Sequence, residues 1–535
     1  MFDLKITYFR DIKKEFEGYN AGKFMGDLMA GITVAAVALP LALAFGVSSG
    51  ASAAAGMITA VLAGIIIAAL SGASYQISGP TGAMAAILVA ICAQYGVKGV
   101  MLAGFVSGII LLIIAVLKIG RLVSYIPAPV ITGFTSGIAL VIATGQIDNL
   151  FGTHSEGHGL IEKFSSYGTL GFKPDIATLL FGLGAILIMV LWPKKLNSKV
   201  PGSLVAIIVS LVVNLIFKFE SVAVVGEIPK TLFLEDRLTF SYFTEIDLET
   251  IKAIVPTAFS IAALGMIESL LCGASAGKMK DEKLNADREL IAQGIGNIVI
   301  PFFGGVPATA AIARTSVAIK SGQKTRLTSI IHSVILLAAM FLLGNIMSMI
   351  PLSALAGVLM VTAWRMNEWH LIKYFFKHKF YMAIIQFFVT MIVTLFFDLT
   401  VAIIVGIAVS MVLFVVKSGI TITVKDVEDM ANAKIVYVEG PLFFGTQEKL
   451  FSELYKLEPT VDTLIISMRG VPSLDESVIE EFSSFFGNIA RGGINVNFCG
   501  ITDNVKKMFD RSTLTEILGE DKFHYDVIAA INSLK

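Results

Sequence analysis

The chain has 535 residues, 55% of them hydrophobic and only 15% charged, with a mean hydropathy of +0.79. A soluble protein of this length carries far more charge on its surface, so a water-soluble body is excluded. Lys+Arg and Asp+Glu balance at 41 each, which leaves no basic excess for a nucleic-acid partner.

The first stretch, 1–25, is charged through Lys5, Arg10, Lys13, Lys14 and Lys23, and reads as a cytoplasmic N-terminal segment. No small-residue cleavage site follows the first apolar run, which therefore reads as a retained helix and not a signal peptide. Apolar stretches then begin near Leu28, Ala53, Ile77, Val100, Ile126, Ile176 and Ser203. A second set begins near Ile254, Leu290, Val306, Thr328, Leu352, Met382 and Thr400, beyond the polar stretch Lys218 to Lys252. About fourteen candidates thus fall seven and seven, and an odd number per half is the arithmetic of an inverted repeat. Several candidates in the second half are too short to span about 30 Å of hydrocarbon alone and equally read as buried or re-entrant segments.

Lys and Arg near the membrane ends set orientation. The N-terminal stretch is basic, as are the loops with Lys118 and Arg121, with Lys194, Lys195 and Lys199, and with Lys278, Lys280, Lys283 and Arg288. The longer loops Gln146 to Asp175 and Lys218 to Lys252 are not. Both termini are expected in the cytoplasm, as an even helix count requires. Cys92, Cys272 and Cys499 lack metal-ligand spacing and read as small buried hydrophobes. Asp398, between two apolar runs, reads as interfacial.

Glu268 is a carboxylate inside the apolar segment Ile254 to Ala276. At membrane depth such a group costs several kcal/mol unless it is protonated, paired or in a wet cavity, which marks it as functional. Two glycine- and proline-broken segments accompany it: Ser78-Gly79-Pro80-Thr81-Gly82-Ala83 and the run Gly304 to Ala311. Interrupted segments at corresponding places in two halves point to half-helices meeting at a substrate site. A helix N-terminus offers unpaired N–H groups and about half a positive charge, so two of them facing each other hold an anion. The donors expected are Thr81, Gly82 and Ala83 from one half and Ala310, Ala311 and Ile312 from the other, with hydroxyls from Ser78 and Thr81. Arg314, about two turns into the second half-helix, adds positive potential there or pairs with Glu268. A titrating Glu268 takes a proton on one side of the membrane and releases it on the other.

From about Ile420, charges return and a small α/β domain of 420–535 is expected, leaving 26–417 as the transmembrane part. Ile435 to Val438, Thr463 to Met468 and Ile494 to Cys499 read as strands and Ser477 to Ala490 as an amphipathic helix.

Pro40-Leu41-Ala42-Leu43-Ala44-Phe45, Ser78-Gly79-Pro80-Thr81-Gly82, Gly265-Met266-Ile267-Glu268-Ser269-Leu270-Leu271, Gln293-Gly294-Ile295-Gly296-Asn297 and the run Pro301 to Arg314 resemble the SulP anion transporter family. The tail resembles a STAS domain. The resemblance implies a polytopic α-helical membrane protein of about fourteen segments as a seven-plus-seven inverted repeat, with a mobile core domain and a gate domain. The anion lies between the third and tenth half-helices, Pro40 and Leu41 line the site from the first helix, and the protein forms homodimers. It implies a multi-pass protein of the cell (inner) membrane that carries a small anion by elevator-like alternating access, without a cofactor and without enzymatic activity. Members coupled to an ion carry a carboxylate at the position of Glu268. In sodium-coupled bicarbonate carriers it is Asp, with Thr one turn on; here the pair is Glu268 and Cys272, and a thiol is a poor ligand for a hard cation. That favours a proton over sodium as the coupling ion. Sulfate is the family's commonest substrate. The Glu268 and Ala308 to Arg314 stretches are similar to proton-coupled dicarboxylate carriers, and Leu39 to Gly46 to the bicarbonate branch. An uncoupled exchanger or channel is the competing class. In the tail, Ser477 aligns with a serine phosphorylated in soluble STAS proteins, though Val478 replaces the usual Gly, and a helix cap is the plainer reading. A cytoplasmic protein is a further expected partner of that domain.

Overall fold

The protein is described here by a computed structural model, which covers residues 2–156, 160–193, 200–246, 248–397, 399–427, 430, 432–457, 461–512 and 514–534. Lys194, Lys195, Lys199 and Asp398 lie outside the described residues. The chain forms two compact units, Met1–Ile407 and Ala408–Lys535.

The apolar stretches become helices in sequence order. The first half holds α1 (Ala21–Ser48), α2 (Ala53–Leu70), α3 and α4 (82–95 and 97–116), α5 (Ala128–Phe151), α6 (Ile176–Leu191) and α7 (Gly202–Phe217). The second holds α8 (Leu248–Lys280), α9 (Ala286–Val299), α10 (Ile312–Lys320), α11 (Leu327–Met347), α12 (Leu352–Met366), α13 (Tyr381–Phe396) and α14 (Leu399–Lys417). Six helical stretches among the described residues are long and apolar enough to cross a membrane by themselves. Gly96 separates α3 from α4, because its φ of 69° is a left-handed turn that glycine adopts without strain. Pro127, Pro201 and Pro351 precede α5, α7 and α12, where a missing amide leaves nothing unpaired.

The halves correspond. Each has a half-helix third in order, α3 and α10, and an amphipathic helix after its fifth member, Leu160–Leu170 and Trp369–Lys377. The stretches expected to turn helical at Ile77 and Val306 start instead as extended chain, since Pro80 and Pro307 disfavour a helix in the residues before them.

Two bundles result, one from α1–α4 with α8–α11, the other from α5–α7 with α12 and α13. Small residues bring the backbones together, as is usual between membrane helices. A Cβ on Gly108 of α4 would lie 2.7 Å from the Gly294 carbonyl of α9, and one on Gly133 of α5 2.4 Å from the Phe387 carbonyl of α13. Buried polar contacts fix the loops of the first bundle. Asp27 accepts from the amides of Lys324 (2.6 Å) and Thr325 (2.9 Å) and from Thr328 Oγ1 (2.8 Å), pinning the α10–α11 loop. Arg326 pairs with Glu15 (2.8 Å), both nearly buried, and donates to the carbonyls of Ala68 and Ala69 at the end of α2.

The second unit carries a sheet ordered β3-β4-β5-β6-β7, formed by Thr421–Asp426, Ala433–Glu439, Thr463–Gly470, Asn495–Cys499 and Phe523–His524. β3 runs antiparallel to β4 and the other pairs are parallel. Helix Glu476–Gly492 packs Phe482 and Phe485 into the core, beside Phe498 and Phe509. Its cap is Asp475, which accepts from the Val478 amide at 3.1 Å, so Ser477 is a half-buried residue of the first turn and not the cap.

Candidate anion site between two half-helices

The chain leaves α2 and runs extended towards α3. There β1 (Ser78–Gly79) pairs antiparallel with β2 (Thr309–Ala310), Ser78 opposite Ala310 and Gly79 opposite Thr309. The Ala311 amide closes the pairing on the Ile77 carbonyl at 2.9 Å. Each strand is two residues long and ends at a helix N-terminus. The pairing of equivalent segments therefore fixes the two N-termini side by side.

Thr81 caps α3, its Oγ1 accepting from the Met84 amide at 3.3 Å. Ala311 caps α10 and offers no side-chain acceptor. The amides of Gly82 and Ala83 in α3, and of Ile312 and Ala313 in α10, have no hydrogen-bond partner among the described residues, as first-turn amides do not. Ile312 is 44% exposed, so the α10 terminus opens to its surroundings, whereas Gly82 and Ala83 are buried.

Arg314 is buried in the first turn of α10, as its third residue and not two turns in as expected, because the helix starts only at Ile312. Its Nη2 donates to the Pro80 carbonyl at 2.8 Å, across the junction. Nη1 has no partner among the described residues. Gly79 makes room for it, since a Cβ there would lie 2.6 Å from Nη1. Among the described residues Arg314 forms no ion pair with Glu268; its partner is a backbone carbonyl. Glu268 is half-buried on α8, and its Oε2 accepts from Thr81 Oγ1 at 3.0 Å. The cap of α3 thus holds the carboxylate.

Three expected donors are engaged elsewhere: the Ala310 amide donates to Ser269 Oγ at 3.3 Å, the Ala311 amide to the Ile77 carbonyl at 2.9 Å and Thr81 Oγ1 to Glu268, while Ser78 Oγ accepts from Gln293 Nε2 at 3.0 Å. Pro40 and Leu41 are buried in α1. The residues nearest the α3 terminus are Phe45 of α1 and Ile142 of α5, whose atoms would lie 3.0 Å and 2.4 Å from a Cβ on Gly82. Cys272 Sγ donates to Thr315 Oγ1 at 3.4 Å, which in turn accepts from the Ile77 amide at 3.0 Å. The thiol is thereby part of the scaffold.

Several polar residues of this scaffold were not among those expected from the sequence. Gln76 Nε2 donates to the Ser269 carbonyl (2.7 Å), Ser269 Oγ bonds Thr309 Oγ1 (2.9 Å), and Asn297 binds both the amide and the carbonyl of Ala308 (2.7 and 2.9 Å). Their signal was present in Gln293 and Asn297, four apart in an apolar helix, where a polar side chain needs a partner. A cavity of about 620 Å³ separates α3 from α5 and α13, reaching from Gly82 and Ala86 past Ile142, Gln146 and Thr394 to Lys163.

Two broken segments, one from each half and paired with each other, two helix N-termini with free amides and a cavity between two bundles define a membrane carrier of anions. The sequence pattern of the sulfate permease family matches residues 24–393 and that of the STAS domain residues 423–530. The chain belongs to the sulfate permease family of membrane transporters and carries a STAS domain at its C-terminus. It is 34% identical over 534 residues to the putative sulfate transporter YvdB of Bacillus subtilis (strain 168), covering 96% of this chain and 98% of that protein. It is 30% identical over 357 residues to the bicarbonate transporter BicA of Picosynechococcus sp., covering 65% of this chain and 62% of that one. The solved transmembrane domain of a cyanobacterium BicA superposes with a TM-score of 0.65 at 26% identity, over 72% of this chain and 97% of that one. The murine Slc26a9 anion transporter in its inward-facing state gives 0.84 at 18% identity, over 95% and 91%, a likeness of fold.

Proposed function

We propose that the protein is a secondary active transporter of a small oxyanion, sulfate as the first candidate, moved in symport with a proton by elevator-like alternating access. The observation that carries this reading is the hydrogen bond from the α3 cap, Thr81, to Glu268. The anion binds the unpaired amides of Gly82, Ala83, Ile312 and Ala313, with Arg314 supplying positive potential from behind. A charged Glu268 opposes it. Two unit charges about 6 Å apart at an effective dielectric of about 20 repel by about 3 kcal/mol, on the order of a hundredfold in affinity. Protonating Glu268 removes that repulsion, so proton and anion bind together. Cargo and coupling group then travel with the first bundle against the second, along the seam where Gly82 meets Ile142.

The relative named as a sulfate transporter matches nearly the whole chain, which supports sulfate. A bicarbonate carrier is the second reading, favoured by the relative of that name. Cys272 puts a thiol, a poor ligand for a hard cation, where a sodium-coupled carrier offers a hydroxyl, which supports the proton. The transport part is 26–417 and the STAS part 420–535, with both termini in the cytoplasm of a cell whose inner membrane holds the protein as a homodimer. A cytoplasmic protein is the partner expected for the STAS domain.

Uptake of sulfate, bicarbonate and fumarate into proteoliposomes, under inward proton or sodium gradients, tests this. Proton-stimulated uptake of one anion, lost in Glu268→Gln, supports the symport and names the cargo. Uptake indifferent to both gradients and to the substitution leaves an exchanger or channel and overturns it.

A further inference from the structure

On the side where the basic loops of α4 and α8 lie, a second cavity, of about 810 Å³, opens between α8, the start of α9 and the turn Ile119–Tyr125 that joins α4 to α5. Its depth is apolar, walled by Val123, Leu270, Leu271 and Leu284. Its mouth carries three exposed cations, Arg121, Lys278 and Lys283. Two acids lie there as well: Asp281, and Glu282, which accepts from the Ser74 amide (2.9 Å) and hydroxyl and lies 4.0 Å from Lys280 Nζ. Tyr125 stands at the rim, 80% exposed, as aromatic rings do at a headgroup interface.

We propose that this cavity binds an anionic phospholipid of the adjoining leaflet, its phosphate at Arg121, Lys278 and Lys283 and the first part of its acyl chain on the leucine wall. The amphipathic lining selects the occupant. A soluble anion is held by polar groups on several sides, whereas here the charge lies at the mouth and the depth is hydrocarbon. Basic pockets between membrane helices on the cytoplasmic side hold anionic headgroups by this means. The site also has a mechanical consequence. The turn 119–125 is one of three covalent links between the two bundles, the others joining α7 to α8 and α11 to α12, and a Cβ on Gly120 would lie 2.7 Å from Leu290 Cδ1 and 3.4 Å from Leu270 Cδ1. A lipid on this wall braces that link where the bundles must move against each other. The proposal rests on the membrane reading of the fold and on neither the cargo nor the coupling ion.

The test is lipid retention by the purified full-length protein in native mass spectrometry, with phosphatidylglycerol and phosphatidylcholine of equal chain length supplied together. Phosphatidylglycerol is expected to be retained about tenfold over phosphatidylcholine, with loss of about fivefold for each cation replaced in Arg121→Gln, Lys278→Gln and Lys283→Gln. The charge-keeping variant Lys278→Arg with Lys283→Arg is expected to retain it. Should the triple variant fail to fold, Leu271→Trp fills the wall without touching the charges and is expected to expel the lipid. Equal retention of the two lipids, or retention unchanged in these variants, overturns the proposal. So does displacement by millimolar inorganic phosphate, which assigns the mouth to a soluble anion. No transport is read, so failure here and failure of the symport are separate results.

Discussion

Thr81 Oγ1 donates to Glu268 Oε2 at 3.0 Å while accepting from the Met84 amide at 3.3 Å. One hydroxyl therefore joins the carboxylate of α8 to the N-terminus of α3, and a change in charge on Glu268 is felt at the helix end where an anion sits. Thr81→Val removes both bonds. The helix loses a cap worth about 1 kcal/mol, and uptake is expected to fall at least tenfold, with the proton dependence weakened. Thr81→Ser keeps the hydroxyl and is expected to restore both, measured as initial uptake rates at two external pH values.

Symport fixes the sign of the pH response. Uptake by the unmodified protein is expected to rise as the external pH falls, because protonated Glu268 admits the anion. In Glu268→Gln that slope is expected to vanish. A slope of unchanged size in the variant places the coupling group elsewhere.

The Gly79–Arg314 contact is tight enough to read by substitution. Gly79→Ala places a methyl 2.6 Å from Nη1. Overpacking of this kind costs about 1–3 kcal/mol, and displacing the guanidinium is expected to lower sulfate affinity about tenfold. Gly184→Ala, in α6 with nothing within 4 Å of the added methyl, is expected to leave uptake unchanged. Concentration dependence of uptake for the two variants checks this.

Between the bundles, Gly82 faces Ile142 at 2.4 Å from a would-be Cβ. Gly82→Ala is expected to slow transport, and the shorter side chain of Ile142→Val to recover part of the rate in the double variant. Additive losses in uptake would sink the idea that these two positions slide past each other.

At the α11 end, Glu15 and Arg326 form a nearly buried pair that also anchors the last carbonyls of α2. Removing one partner leaves an uncompensated charge, so Glu15→Ala is expected to cost about 3 kcal/mol. The thermal midpoint in detergent, with Arg326→Met Glu15→Leu as the paired apolar control, measures it.

Much of this was legible from residue order alone. Hydrophobic runs of near membrane length, broken by Gly and Pro at matching places in two halves, dictate helices, half-helices and their order, because the bilayer forbids unpaired backbone elsewhere. The carboxylate Glu268 was conspicuous for the same reason. The C-terminal strands at Ile435, Thr463 and Ile494 were plain from apolar runs, whereas β3, exposed along most of its length, left no such pattern. What the tertiary structure decided is which polar groups face which. It paired Ser78 with Ala310 across the two halves, sent the amide of Ala310 to Ser269 and the hydroxyl of Ser78 to Gln293, and turned Arg314 to the Pro80 carbonyl and not to Glu268. Those choices depend on distances of about 3 Å between residues 41 to 234 positions apart, which composition and periodicity do not encode.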